Sequence, residues 1–160
     1  YVSFEELCKQ SDMISLHYPL TKESYHLVDE KAIGNMKKGV MIVNTSRGAL
    51  IDATALIEGL KEGKVGAAGL DVYEEESDYF YEDYSGTVMP DDALARLISM
   101  PNVLLTSHQA FLTEDALKNI ADTTMENLTR YFAGEGLPNE ICYQCTKNGT
   151  CKKEHKERCF

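Results

Sequence analysis

Four short apolar runs in the chain each give way abruptly to side chains that can do chemistry. The run from Met13 to Leu16 leads into His17, Val40 to Val43 leads into Thr45, Ser46 and Arg47, Ala67 to Val72 carries Asp71, and Val103 to Thr106 is followed by His108 and Gln109. An imidazole has an unperturbed pKa of about 6.5, close to neutrality, which suits His108 to shuttle a proton. The planar guanidinium of Arg47 grips a carboxylate by two parallel hydrogen bonds, and Gly48 behind it lets the chain turn sharply. A carboxylate beside an imidazole favours its charged form, and Glu74, Glu75 and Glu76 follow the third run. Plainer readings stand beside these: a surface arginine, a hydrogen-bonded histidine at a strand end, a solvated run of glutamates. His17 precedes Tyr18-Pro19, where proline ends a strand, so its ring reads as structural. His26 falls at a helix start and has no evident role.

The elements that must position these groups follow from periodicity. Apolar runs rich in Val, Ile and Leu alternate with amphipathic segments, the pattern of an α/β fold with a parallel sheet. The runs named above are the expected strands. Helices are expected from Phe4 to Lys9, Asp29 to Met36, Ala53 to Glu62, Asp91 to Ile98 and Thr113 to Phe132. Asp52 is a good cap for the third, and Gly63 tolerates the left-handed conformation in which helices stop. The apolar face of that helix is Ala55, Leu56, Gly59 and Leu60, while the last helix carries Ala116, Ile120, Thr124 and Leu128 as a stripe suited to packing against another domain. Between Glu74 and Pro90 lies an acidic, tyrosine-rich loop, either packed at a subunit contact or a solvated insertion. In an open parallel sheet ligands bind outside the carboxyl ends of the strands, so the four strand ends are expected to share one crevice.

Composition narrows the class of function. With 160 residues, 43% of them hydrophobic, the chain is long enough to bury a sizeable core. A formal net charge of -10, with 26 acidic against 16 basic residues, argues against a nucleic-acid surface. No apolar run approaches the roughly 20 residues that cross a bilayer, and the first residues lack the features of a signal peptide. A soluble, cytoplasmic protein is expected. The chain opens inside a helix without a start methionine and reads as the later part of a longer protein.

Four stretches, in order and spacing, resemble the D-2-hydroxyacid dehydrogenase family: Ser11 to Thr21 (SDMISLHYPLT), Met36 to Gly48 (MKKGVMIVNTSRG), Gly69 to Glu76 (GLDVYEEE) and Pro101 to His108 (PNVLLTSH). His108 to Thr113 (HQAFLT) and Phe80 to Asp83 (FYED) are similar to the fermentative D-lactate dehydrogenases within it. The resemblance implies a partial Rossmann-type, doubly wound parallel sheet, the second half of an NAD-binding domain. It implies domains at 1–110 (cofactor), 111–140 (a helical segment returning to the substrate domain) and 141–160 (a tail). It also implies a catalytic trio in which Arg47 holds the substrate carboxylate, His108 gives or takes the proton, and Glu76, the third glutamate, orients and charges His108. Tyr18, Pro19, Thr45, Ser46, Arg47, Asp71 and His108 are then expected along NAD(H), and Phe111 beside the substrate. Ser24 stands where relatives often carry asparagine. The partner the resemblance implies is a small 2-oxo or 2-hydroxy acid, pyruvate and D-lactate first, with glyoxylate, hydroxypyruvate or a branched-chain acid as alternatives. A homodimer or higher homo-oligomer is implied. A rival of another class is a catalytically silent, nucleotide-sensing scaffold of the same fold.

The Gly-x-Gly-x-x-Gly turn that sets a pyrophosphate on a helix N-terminus does not occur in the chain. Beyond Glu140 the family pattern stops, and Cys142, Cys145, Cys151 and Cys159 crowd together with His155 and several basic residues. Four thiolates could close on zinc or hold an iron–sulfur cluster, or they remain unliganded. If the tail holds a metal, the purified protein carries bound zinc or iron by elemental analysis, and Cys145→Ser releases it.

Overall fold

Each of the four apolar runs becomes a strand, and all four lie parallel in one sheet in the order of the chain: β1 (Met13–Leu16), β2 (Val40–Asn44), β3 (Val65–Leu70) and β4 (Val103–Leu105). The computed structural model describes residues 1–81 and 83–141. It divides into two units, Tyr1–Ala110 and a second that begins at Phe111, and the sheet belongs to the first. Parallel neighbours need long crossovers. Here these run through α2 (Glu30–Asn35), α3 (Ala53–Lys61) and α5 (Asp92–Ser99), with α1 (Phe4–Gln10) preceding β1. The helices pack in a row, α1 on α2, α2 on α3 and α3 on α5.

Capping fixes where the helices begin. Ser3 accepts from the Glu6 amide, Asp29 from Ala32, Asp52 from Thr54 and Ala55, and Asp91 from Leu94, each satisfying donors that a helix start leaves unpaired. Gly63, at φ +68°, follows α3. Beneath the helices lies the core, in which Val28, Ile42, Leu50, Leu56, Val65, Leu94 and Leu97 are fully enclosed. Alternate strand residues face the other way, and there Met13, Met41 and Leu104 are exposed at 57%, 39% and 70%. Met13 and Met41 are direct partners across β1 and β2.

Most boundaries fall within a residue of the pattern-based expectation, and β3 departs from it by two residues at each end. β3 starts at Val65 rather than Ala67, because Val65 pairs with Val40 and is wholly buried, while Gly66 forms a bulge before Ala67 takes up Met41. That glycine interrupts the apolar run in the sequence. β3 also ends at Leu70, so Asp71 and Val72 lie past the strand. The acidic loop contains a one-turn helix, α4 (Glu76–Tyr79), nucleated where the Glu76 amide bonds the Tyr73 carbonyl. His26 is not at a helix start: it lies in the turn before α2, at φ +51°.

In the second unit α6 (Glu114–Ala133) is capped by Thr113 and ended by Gly134 at φ +75°. It buries none of its side chains, and Ile120 and Leu128 of the expected stripe are exposed. No helix among the described residues is long and apolar enough to cross a membrane. Cys142, Cys145, Cys151 and Cys159 lie outside the described residues.

Gly48 is required by close approach rather than by a special turn. A Cβ placed there would sit 2.0 Å from the Tyr73 carbonyl carbon and 2.4 Å from the Glu74 amide nitrogen, all of it backbone. Gly34, inside α2, faces open space. Gly48→Ala is therefore expected to lower stability by about 1–3 kcal/mol, whereas Gly34→Ala raises it by about 0.5–1 kcal/mol through helix propensity. Thermal or denaturant unfolding of the two variants checks the opposite signs.

Candidate active site

The carboxyl ends of adjacent parallel strands lie along one edge of the sheet, and hydrogen bonds lace them together. Asn44, the last residue of β2, is fully buried and shapes the turn after it: its Nδ2 donates to the Arg47 carbonyl at 2.8 Å and its Oδ1 accepts from the Ser46 amide at 3.0 Å. Ser46 Oγ donates to the Tyr18 carbonyl at 2.8 Å, tying this turn to the segment after β1. Arg47 emerges from the turn with its side chain exposed, Nη1 donating to the Ser46 carbonyl at 2.7 Å. One terminal nitrogen of the guanidinium is thus held by the chain itself, and the side chain is otherwise exposed.

Past β3, Asp71 is only 4% exposed. Its Oδ1 accepts from Thr106 Oγ1 at 2.5 Å and from the Gln109 amide at 2.8 Å, and its Oδ2 accepts from the Ala110 amide at 2.9 Å. Its backbone carbonyl takes the His108 amide at 2.7 Å. One side chain thus fastens the whole turn after β4. Burial alone would push its carboxyl up, but the bonds from Thr106, Ala110 and Gln109, with His108 nearby, outweigh it and hold the group below the usual carboxylate range.

That turn carries His108 at φ +53°, a left-handed backbone uncommon outside glycine. The conformation brings the ring to Glu76, with Nδ1 2.8 Å from Oε1. Glu76 is itself anchored, since its Oε2 accepts from the Tyr73 amide at 3.1 Å. Tyr73 is buried and donates its hydroxyl to Asp91 at 2.8 Å; burial first, then this bond, raises the hydroxyl far above its ordinary range, so it stays a donor. A carboxylate on Nδ1 fixes the ring's orientation, and Nε2 is then the ring nitrogen with the chemistry to exchange a proton.

The other residues singled out in the sequence are placed as follows. Tyr18, Pro19 and Thr45 are exposed on the same edge. His17 bonds Ser15 Oγ at 2.8 Å through Nε2. Ser24 is buried inside its own turn, accepting from the Thr21 amide at 2.7 Å and donating to the Pro19 carbonyl at 2.8 Å. Phe111 is exposed at the start of the second unit. Of the three glutamates Glu75 points to solvent, while Glu74 and Glu76 are both turned inward. Glu74 meets Tyr25 and His26, neither of which carried a signal in the sequence.

Because the folded-state pKa of Asp71 is depressed, its contribution to stability is complete above about pH 4, the ordinary carboxylate range, and is lost as pH falls through the folded value. Asp71→Asn, which turns an acceptor into a donor facing donors, is expected to cost about 2–3 kcal/mol at neutral pH. The variant should lose less further stability than the wild type on acidification to about pH 3, as measured by denaturant unfolding across pH.

Known proteins share this arrangement of elements. Residues 1–110 match the family described as D-isomer specific 2-hydroxyacid dehydrogenase, NAD binding domain. The D-lactate dehydrogenase of Escherichia coli is 56% identical over 141 residues, 88% of this chain and 43% of the relative. An aromatic 2-oxoacid reductase of Clostridium sporogenes is 43% identical over 152 residues, covering 95% of this chain and 44% of the relative. Among solved structures, a D-lactate dehydrogenase of Treponema pallidum superposes with TM-score 0.80 at 43% identity, over 89% of this chain and 43% of the other. The chain therefore spans less than half the length of these relatives. With its parallel sheet, its strand-end cluster and this likeness over most of its length, the chain belongs to the D-isomer-specific 2-hydroxyacid dehydrogenases, residues 1–110 matching their NAD-binding domain.

Proposed function

We propose that the whole protein reduces small 2-oxo acids to D-2-hydroxy acids with NADH, pyruvate to D-lactate first among them. The observation that carries this reading is the Glu76–His108 pair at 2.8 Å, set on the same sheet edge as the exposed side chain of Arg47. The edge also fits the nicotinamide end of NAD(H): exposed Tyr18, Pro19 and Thr45 flank the strand ends, and the donors and acceptors required beside a reacting carbonyl stand next to them. Asp71 is assigned to that end as well, through the turn it fastens and the acceptor capacity left on Oδ2. When bound, NADH would supply the hydride.

The chain's own residues do the rest. Arg47 neutralises the substrate carboxylate by a two-point grip and draws on the adjacent carbonyl. His108 gives its Nε2 proton to the oxygen that becomes the hydroxyl, and takes it back in the reverse direction. Glu76 holds the ring in line for that transfer through its bond to Nδ1. Phe111 is proposed to border the substrate. An intact proton donor with its orienting carboxylate speaks against a silent nucleotide-sensing scaffold, which needs neither. The 43% identity to an aromatic 2-oxoacid reductase supports, as a second reading, a bulkier aromatic 2-oxo acid as substrate. The proposal extends to a cytoplasmic location and to a homo-oligomeric assembly.

Loss of NADH absorbance with a panel of 2-oxo acids tests the reaction and ranks pyruvate against aromatic substrates. No turnover with any of them, with NADH still bound, would replace the enzyme by the scaffold. His108→Gln is expected to slow turnover by about 10²-fold or more while leaving NADH binding measurable. Arg47→Lys should raise KM for the 2-oxo acid more than it weakens NADH binding, because an ammonium cannot reproduce the fork. Equal losses for both ligands would remove Arg47 from carboxylate recognition.

A further inference from the structure

Among the described residues two that are not glycine adopt a left-handed backbone, and both are histidines: His108 at φ +53° and His26 at φ +51°. Each ring is hydrogen-bonded to a glutamate of the same short segment, His108 to Glu76 and His26 to Glu74. The His26 contact is slightly longer than the 2.8 Å of the other, but it engages both oxygens of its carboxylate. Its Nε2 lies 3.0 Å from Glu74 Oε2 and 3.2 Å from Oε1, Tyr25 donates its hydroxyl to Oε1 at 2.8 Å, and the Tyr25 and His26 rings stack with centroids 3.9 Å apart. The His26 amide bonds the Ala49 carbonyl at 2.8 Å, and Nδ1 lies 3.9 Å from Asp52 Oδ2. The turn containing His26 is thus pinned to the chain just past Arg47, while its ring holds the chain two residues before Glu76. Between them Gly48 lies against the Tyr73–Glu74 peptide with no room for a side chain.

We propose that His26 and Glu74 form a second imidazole–carboxylate pair whose role is positional: it clamps segment 73–76 against segment 47–49 and so fixes Glu76 and His108 relative to Arg47. His26 is a positioning residue and touches no reacting atom. A non-glycine backbone held left-handed is strained and persists where the surroundings impose it. Here the surroundings are two hydrogen bonds to one carboxylate and one backbone bond to the neighbouring segment. The pair also explains why two of three consecutive glutamates are turned inward: one orients the proton donor, and the other keeps the first in place.

The kinetic arm of the test rests on the reductase reading, and a spectroscopic arm does not. In the whole protein, His26→Ala and Glu74→Gln are each expected to lower kcat with a 2-oxo acid by about 10- to 100-fold, the scale of a small misplacement, with NADH affinity unchanged. His26→Gln, whose amide nitrogen can reach the place of Nε2, should recover part of the loss. In the same variants the downfield Nδ1 proton of His108, assigned by its disappearance in His108→Gln, should shift or exchange faster. If His26→Ala does not fold, Glu74→Gln and Tyr25→Phe report on the same contact. Folded variants with unchanged kcat and an unmoved His108 proton overturn the proposal, as does a loss confined to melting temperature. A wild type inactive on every 2-oxo acid would overturn the reductase reading alone, because the His108 proton still reports whether the clamp acts on it.

Discussion

The arrangement at the sheet edge depends on the solvation of one carboxylate by protein. Asp71 leaves β3 and is buried, and the donors that replace water around it come from the turn after β4: Thr106, Gln109 and Ala110, with His108 bonded to its backbone carbonyl. Burying a charge is tolerable only when it is well hydrogen-bonded. In this structure that condition is met by a conformation of residues 106–110 that puts His108 in a left-handed backbone beside Glu76. The cost of the strained residue and the gain from the satisfied charge belong to the same small structure.

Parallel topology makes such local devices converge. Because each strand returns to the start of the sheet through a helix, every strand delivers its last residues to the same edge, and residues 17–18, 44–47, 71–76 and 106–110 become neighbours although far apart in the chain. The helices, fixed by side-chain caps, set how far each strand advances before it ends. Asn44, Ser46, Asp71 and Glu76 then convert that coarse alignment into hydrogen-bonded contact. Rigid elements supply the frame, and buried polar groups set the fine position.

Much of this was legible from residue types. Four apolar runs with intervening amphipathic segments specify a parallel α/β sheet, and polar residues at their ends mark the edge that carries the site. Asp29, Asp52, Asp91 and Thr113 announce helix starts because capping is local and depends on few residues. The β3 start was obscured by Gly66, since a bulge arises from pairing with β2 and leaves only a break in the apolar run. His26 was illegible for a similar reason. Its conformation and its partner, Glu74, are set by tertiary contacts 48 residues apart, and nothing in Tyr25-His26-Leu27 hints at them. Gly48 was visible as a glycine, but its cause, a peptide pressed against it from another strand's end, was not.

The bulge at Gly66 makes β3 one residue longer than its pairing with β2 requires. Side chains alternate between the two sides of a strand, so gaining or losing one residue in a regular stretch turns everything downstream over. Val65 is buried, and past the bulge the buried positions are Ala68 and Leu70, a change of parity that the extra residue absorbs. The bulge at Gly66 is thus where β3 takes in the extra residue and changes parity, so that the strand beyond it keeps its buried side toward the core.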